Sequence, residues 1–82
     1  MSKYHPLLLW LTGQNGNRIN AKFEQIEGVL HFDLPASART YSQWWENDRE
    51  HVQAQAWIDA GFRTEQVNLT AETLAFARSY SD

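Results

Sequence analysis

Residues 51–62 read HVQAQAWIDAGF, and the fold depends on whether they form a strand or a helix. Val52, Ala54, Ala56, Ile58 and Ala60 alternate with Gln53, Gln55, Trp57 and Asp59, which is the period-two signature of a strand. Ala54, Trp57 and Ile58 also form a helical stripe, and alanine and glutamine favour helices. As a strand, the segment pairs with residues 62–69 through a three-residue loop at Asp59-Ala60-Gly61. As a helix, it ends at Gly61 and leaves only a two-stranded hairpin behind it. The strict alternation favours the strand; the helix stays open as the other reading. Both require a positive φ at Gly61.

On the C-terminal side, FRTEQVNL (62–69) and TLAFAR (73–78) read as strands, with Leu74 and Phe76 on one face and a short connection between them. On the N-terminal side, YHPLLLWLT (4–12) reads as a helix with Pro6 in its first turn and Gly13 as its stop. GQNGN (13–17) is a loop, and RINAK (18–22) a brief strand. FEQIEGVL (23–30) sets Phe23, Ile26 and Leu30 at helical spacing. Pro35 interrupts the chain and opens a further helix over 35–45, PASARTYSQWW. A short helix, a turn and a second helix, followed by strands, predict an α+β fold: one small winged helix-turn-helix-like domain over residues 1–82. Ile26, Leu30, Trp57, Phe62 and Phe76 complete the apolar faces and are the expected core.

A chain of 82 residues holds one small core, in which eleven aromatic side chains carry much of the buried area. With no cysteine, disulfides and thiolate metal sites are excluded. The longest apolar run, Pro6–Leu11, is too short to span a bilayer, and no secretory leader pattern opens the chain; a cytoplasmic protein without membrane contact is expected. The net charge of −3 is unevenly distributed: residues 1–45 carry +1 and residues 46–82 carry −4. Such a chain does not coat nucleic acid by charge alone, although a local contact surface remains open.

Phe23, Ile26-Glu27, Leu34-Pro35, Ser37-Ala38-Arg39, Trp44-Trp45, Asn47-Asp48, His51, Gln53-Ala54, Ala56-Trp57-Ile58, Ala60-Gly61-Phe62-Arg63, Val67, Leu69, Phe76 and Arg78 form a spaced pattern across most of the chain. In this pattern, and in the opening YHPL (4–7), the chain resembles a small bacterial domain family of unknown function. The resemblance implies a shared fold and no particular activity. Thr40 and Gln43 stand where relatives are often basic.

Two functions are expected from the residues. In the first, the domain is a non-catalytic DNA-binding module. Ser37, Arg39, Tyr41, Gln43, Trp44 and Asn47 supply phosphate, base-edge and stacking chemistry from the 35–45 region, Arg18 and Lys22 contact phosphate, and the 69–73 connection forms the wing. In the second, the domain is a small acidic protein-interaction module, an inhibitor or adaptor, with an aromatic surface around Trp44, Trp45 and Trp57; a homodimer is also open. The bland alternatives are that the tryptophans pack the core and that Arg39 pairs with an acid such as Asp33 or Asp48. Asn47, Asp48 and His51 come nearest to a catalytic cluster, but a turn in which Asn47 and Asp48 bond their own backbone is the simpler account. No enzyme, metal site or cofactor is expected.

Overall fold

The computed structural model describes residues 2–79. The elements in chain order are helix α1 (His5–Thr12), strand β1 (Arg18–Lys22), helix α2 (Phe23–Leu30), helix α3 (Ala36–Thr40), a 3-10 turn (Ser42–Trp45), helix α4 (Val52–Asp59), and strands β2 (Phe62–Asn68) and β3 (Thr73–Arg78). The three strands form an antiparallel sheet in the order β1-β3-β2. This is an α+β domain of winged helix-turn-helix-like order, with the helices packed on the inner face of the sheet.

Residues 52–59 are a helix, against the strand reading. Gln53, Ala54, Ala56 and Trp57 are buried, whereas Val52 is 48% exposed, the reverse of what a half-buried strand needs. Alanine is small enough to be buried in either conformation, so period-two spacing of alanines discriminates poorly. The tie is broken by Gln53, whose Nε2 donates to the Trp44 carbonyl at 2.8 Å and so pairs a polar group that the helix buries. Gly61 comes just after the helix with φ 88°, as either reading required. The sheet gains its third strand from β1 instead.

The expected helix over 35–45 is also corrected. It breaks at Tyr41, which is extended (φ −125°, ψ 126°), into α3 and the 3-10 turn. The break lets Trp45 turn inward and donate its Nε1 hydrogen to the Ala38 carbonyl at 2.8 Å, satisfying one of the terminal acceptors of α3. Consequently α4, rather than 35–45, is the helix that leads into the β2–β3 hairpin.

An aromatic column runs through the core. Phe23 stacks on Trp45 (4.8 Å between centroids), Trp45 on Trp57 (6.0 Å), and Trp57 lies against Phe76 (5.9 Å). Trp44 leaves the column sideways, edge-on to Trp45 and to Tyr4. All five expected core residues are buried. Adjacent tryptophans thus serve two directions: one enters the column and the other closes its flank against α1.

Candidate functional site

Arg39 sits at the end of α3 and is held from two sides. Its Nη1 and Nη2 donate to the two carboxylate oxygens of Glu27 at 3.0 and 3.1 Å, and its Nε donates to Glu72 at 2.8 Å. Glu27 also accepts the Leu34 amide at 2.7 Å. The guanidinium fork, then the Leu34 amide, hold the Glu27 carboxyl below its ordinary range. Glu72 lies in the β2–β3 connection with φ 57°, and its carbonyl accepts the Phe23 amide at 2.9 Å. One arginine therefore ties α3 to α2 and to the hairpin. It pairs with an acid as the simpler account expected, but with Glu27 and Glu72 rather than Asp33 or Asp48.

Asn47 is a second structural hub. Its Oδ1 accepts from Trp57 Nε1 at 2.9 Å and from the Thr64 amide at 2.8 Å, while its Nδ2 donates to the Thr64 carbonyl at 3.1 Å. Asp48 behaves as a turn residue, accepting the Glu50 amide at 2.9 Å on Oδ1. Asn47 does not bond its own backbone as the turn account had it. Among the described residues, no group of histidine, aspartate and glutamate side chains is placed to hold a metal ion.

The residues expected to read DNA do not share one face. Arg39 and Asn47 are engaged within the fold, and Trp44 is half-buried against Tyr4. Ser37 is half-buried, while Tyr41 and Gln43 are exposed near the break. Arg18 and Lys22 lie on β1, on the outer face of the sheet. The expected aromatic surface is corrected too: Trp45 and Trp57 are buried in the column and offer nothing to a partner.

Two surfaces remain. The first is the lead-in and exposed side of α4, with carboxylates at Glu46, Asp48, Glu50 and Asp59, all exposed. Its one cation, Arg49, is bound to Asp59 at 2.6 Å. Tyr41 and Val52 are among the large apolar side chains most exposed to solvent.

The second is the outer face of the sheet. Arg18, Asn20 and Lys22 on β1 stand across from Ala77, Ala75 and Thr73 on β3, and Glu65 and Arg63 flank the other side. Glu65 accepts from both Arg18 (2.7 Å) and Arg63 (3.0 Å), and the Arg18 contact, then that of Arg63, lowers its pKa. The register of β2 shifts between Glu65 and Asn68, with Gln66 in the left-handed region at φ 52°. A groove of about 350 Å³ opens here, walled by Asn20, Lys22, Gln25, Gln66 and Thr73 over a floor that includes Ala75. None of these groove residues except Lys22 stood out in the sequence, because the bulge and the cross-strand register assemble them.

The chain belongs to the family described as Domain of unknown function (DUF7662), whose model matches residues 4–79. No curated protein and no solved structure matches it. No helix among the described residues is long and apolar enough to cross a membrane.

Proposed function

We propose that this domain is a non-catalytic, acidic protein-interaction module, and that its partner meets the lead-in and exposed side of α4. The carrying observation is the chemistry of that surface. Four exposed carboxylates accompany one arginine that is already ion-paired, and Val52 at the start of α4 is exposed, as is Tyr41 before the 3-10 turn. A surface so dressed repels a phosphate backbone and suits a basic, partly apolar partner. The engagement of Arg39 by Glu27 and Glu72 supports the same reading, since it neutralises the only cation of the 35–45 region.

One observation favours DNA binding as a second reading: the winged helix-turn-helix-like order, with α4 leading into the hairpin. Fluorescence anisotropy with a labelled duplex at low salt separates the two. The interaction reading expects no affinity better than the random-sequence range of about 10⁻⁴ to 10⁻⁶ M, with no dependence on α4. A photo-crosslinking residue at Val52 is then expected to trap a protein in the producing cell, and Asp48→Lys with Glu50→Lys to abolish that product. Submicromolar duplex binding that is lost on Gln55→Ala would overturn the proposal in favour of DNA.

A further inference from the structure

The open edge of β1 and the groove inboard of it, which crosses the outer face over β3 to Gln66 on β2, form a second surface, on a different part of the molecule from α4. The main-chain groups of β1 can be assigned from its pairing. Arg78 N–H donates to the Asn17 carbonyl at 2.7 Å and Phe23 N–H to the Glu72 carbonyl at 2.9 Å, at the two ends of the β1–β3 ladder. Hydrogen-bonded and non-hydrogen-bonded pairs alternate along an antiparallel ladder. Ile19 and Ala21 therefore bond β3, whereas Arg18, Asn20 and Lys22 point their N–H and C=O groups away from it. Among the described residues β1 is an edge strand, so no strand there receives them.

Side chains at the same positions carry matching chemistry. Lys22 makes no ion pair among the described residues. Asn20, Gln25 and Gln66 bring side-chain amides, each offering donors and an acceptor as a peptide group does, and Thr73 adds a hydroxyl. Arg18 Nη2 donates to Gln66 Oε1 at 2.6 Å, fixing that amide at the groove wall and leaving its Nε2 hydrogens without a partner among the described residues. Ala75 stands on the outer face of the central strand and puts only a methyl group, 1% exposed, beneath the groove. Among the described residues no aromatic side chain lines the groove, so none of them offers the stacking platform that a nucleobase uses. Arg18, Lys22 and Arg63 against Glu65 leave this face positive, opposite in sign to the α4 side.

Gln66 supplies an independent sign. A non-glycine residue in the left-handed region is strained, and bulges of this kind re-aim side chains beside binding sites. Here the bulge raises the wall of the groove without contributing to the buried column.

We infer that β1 takes up an extended acidic peptide segment of a partner protein by strand addition, with the open main-chain groups of Asn20 and Lys22 pairing the peptide backbone and Lys22 receiving a carboxylate side chain. Main-chain bonds at the open edge supply affinity in this mode, and a peptide side chain reaching over β1 to Lys22, the one charged residue of the groove lining, supplies the preference for an acid. This site and the α4 surface stand or fall separately.

The test is an amide NMR titration of the full chain with two blocked pentapeptides of alternating sequence, acetyl-Thr-Val-Glu-Val-Thr-amide and its lysine counterpart, to about 2 mM, which detects binding worth about 4 kcal/mol. The glutamate peptide is expected to shift the amides of residues 18–22, 25, 66 and 73–75, and the lysine peptide to bind at least about tenfold more weakly, equivalent to about 1.4 kcal/mol. Lys22→Glu is expected to reverse that order, and Asp48→Lys on the α4 side to leave it unchanged. Equal binding of the two peptides, shifts mapping elsewhere, or no shifts at all would overturn the inference. Inorganic phosphate reproducing the same shifts would reduce the groove to an anion site, and concentration-dependent shifts without peptide would give the edge to a second copy; either result also overturns it.

Discussion

Replacing Arg39 by alanine separates a structural arginine from a ligand-reading one. The substitution removes two hydrogen bonds to Glu27 and one to Glu72. The Glu27 side chain is 18% exposed and that of Arg39 33%, so the fork is partly shielded, whereas Glu72 at 46% is close to a surface pair. A partly buried bidentate pair contributes about 2 kcal/mol and an exposed contact at most about 1 kcal/mol, giving a loss of about 2–3 kcal/mol. For a domain of this size that lowers Tm by about 10–20 °C. Urea unfolding monitored by tryptophan fluorescence reads the loss directly, because Trp45 and Trp57 stack in the column that α3 holds in place.

Glu27→Ala is expected to cost a similar amount, and the double variant less than the sum, with a coupling of about 1–2 kcal/mol. Arg39→Lys keeps the charge but not the fork and is expected to recover only part of the stability. An Arg39→Ala protein melting within about 3 °C of the parent would refute the structural role, and would free the guanidinium for a ligand after all.

Asn47→Ala is expected to cost about 2–4 kcal/mol in the same unfolding assay, since it leaves Trp57 Nε1 and the Thr64 amide without their acceptor. Gly61→Ala meets no steric obstacle but must hold φ near 88°, so a loss of about 1–2 kcal/mol is expected from backbone strain alone; an unchanged urea midpoint would contradict it. Acid is expected to destabilise the fold through Glu27. Its pKa lies below the ordinary 4.5 in the folded state, so its contribution is complete above that value and is lost as pH falls through the lower folded one. Glu27→Gln is expected to flatten that part of the stability–pH profile measured between about pH 5 and pH 2.

The sequence carried the apolar faces of α2, β2 and β3 plainly, because Phe23, Ile26, Leu30, Phe62, Leu74 and Phe76 repeat at the periods of their elements and are all buried. It misled where alanine set the period: Ala54 and Ala56 fit a strand face as well as a helical one, and only the distant Trp44 carbonyl accounts for the burial of Gln53. The 35–45 segment contains no internal proline or glycine to announce its break, which comes from the demand that Trp45 reach the column. The partners of Arg39 lie 12 and 33 residues away, so its ion pairs depend on tertiary structure that no local spacing records. The groove was illegible for the same reason. Its walls come from β1, the first turn of α2, the bulge of β2 and the start of β3.

The residues that carried the resemblance to a family are largely engaged in building the frame. Phe23, Trp45, Trp57 and Phe76 form the aromatic column. Glu27 and Arg39 tie α2 to α3, Asn47 joins Trp57 to β2, and Gln53 anchors α4 to the 3-10 turn. Arg78 lies over the Phe62 ring at 4.5 Å and donates to the Gln14 and Gly16 carbonyls. These groups already have their partners inside the fold, and a side chain whose donors and acceptors are satisfied internally must give up those bonds before it can bind anything else. The walls and floor of the outer groove, at Asn20, Lys22, Gln25, Gln66, Thr73 and Ala75, all fall outside that set. Exposed substitutions away from such networks cost little stability, so Asn20, Lys22, Gln25 and Gln66 can change while the column and its ties hold. The residues of the resemblance therefore build the scaffold, and the peptide site inferred at the sheet rests on a separate set of side chains.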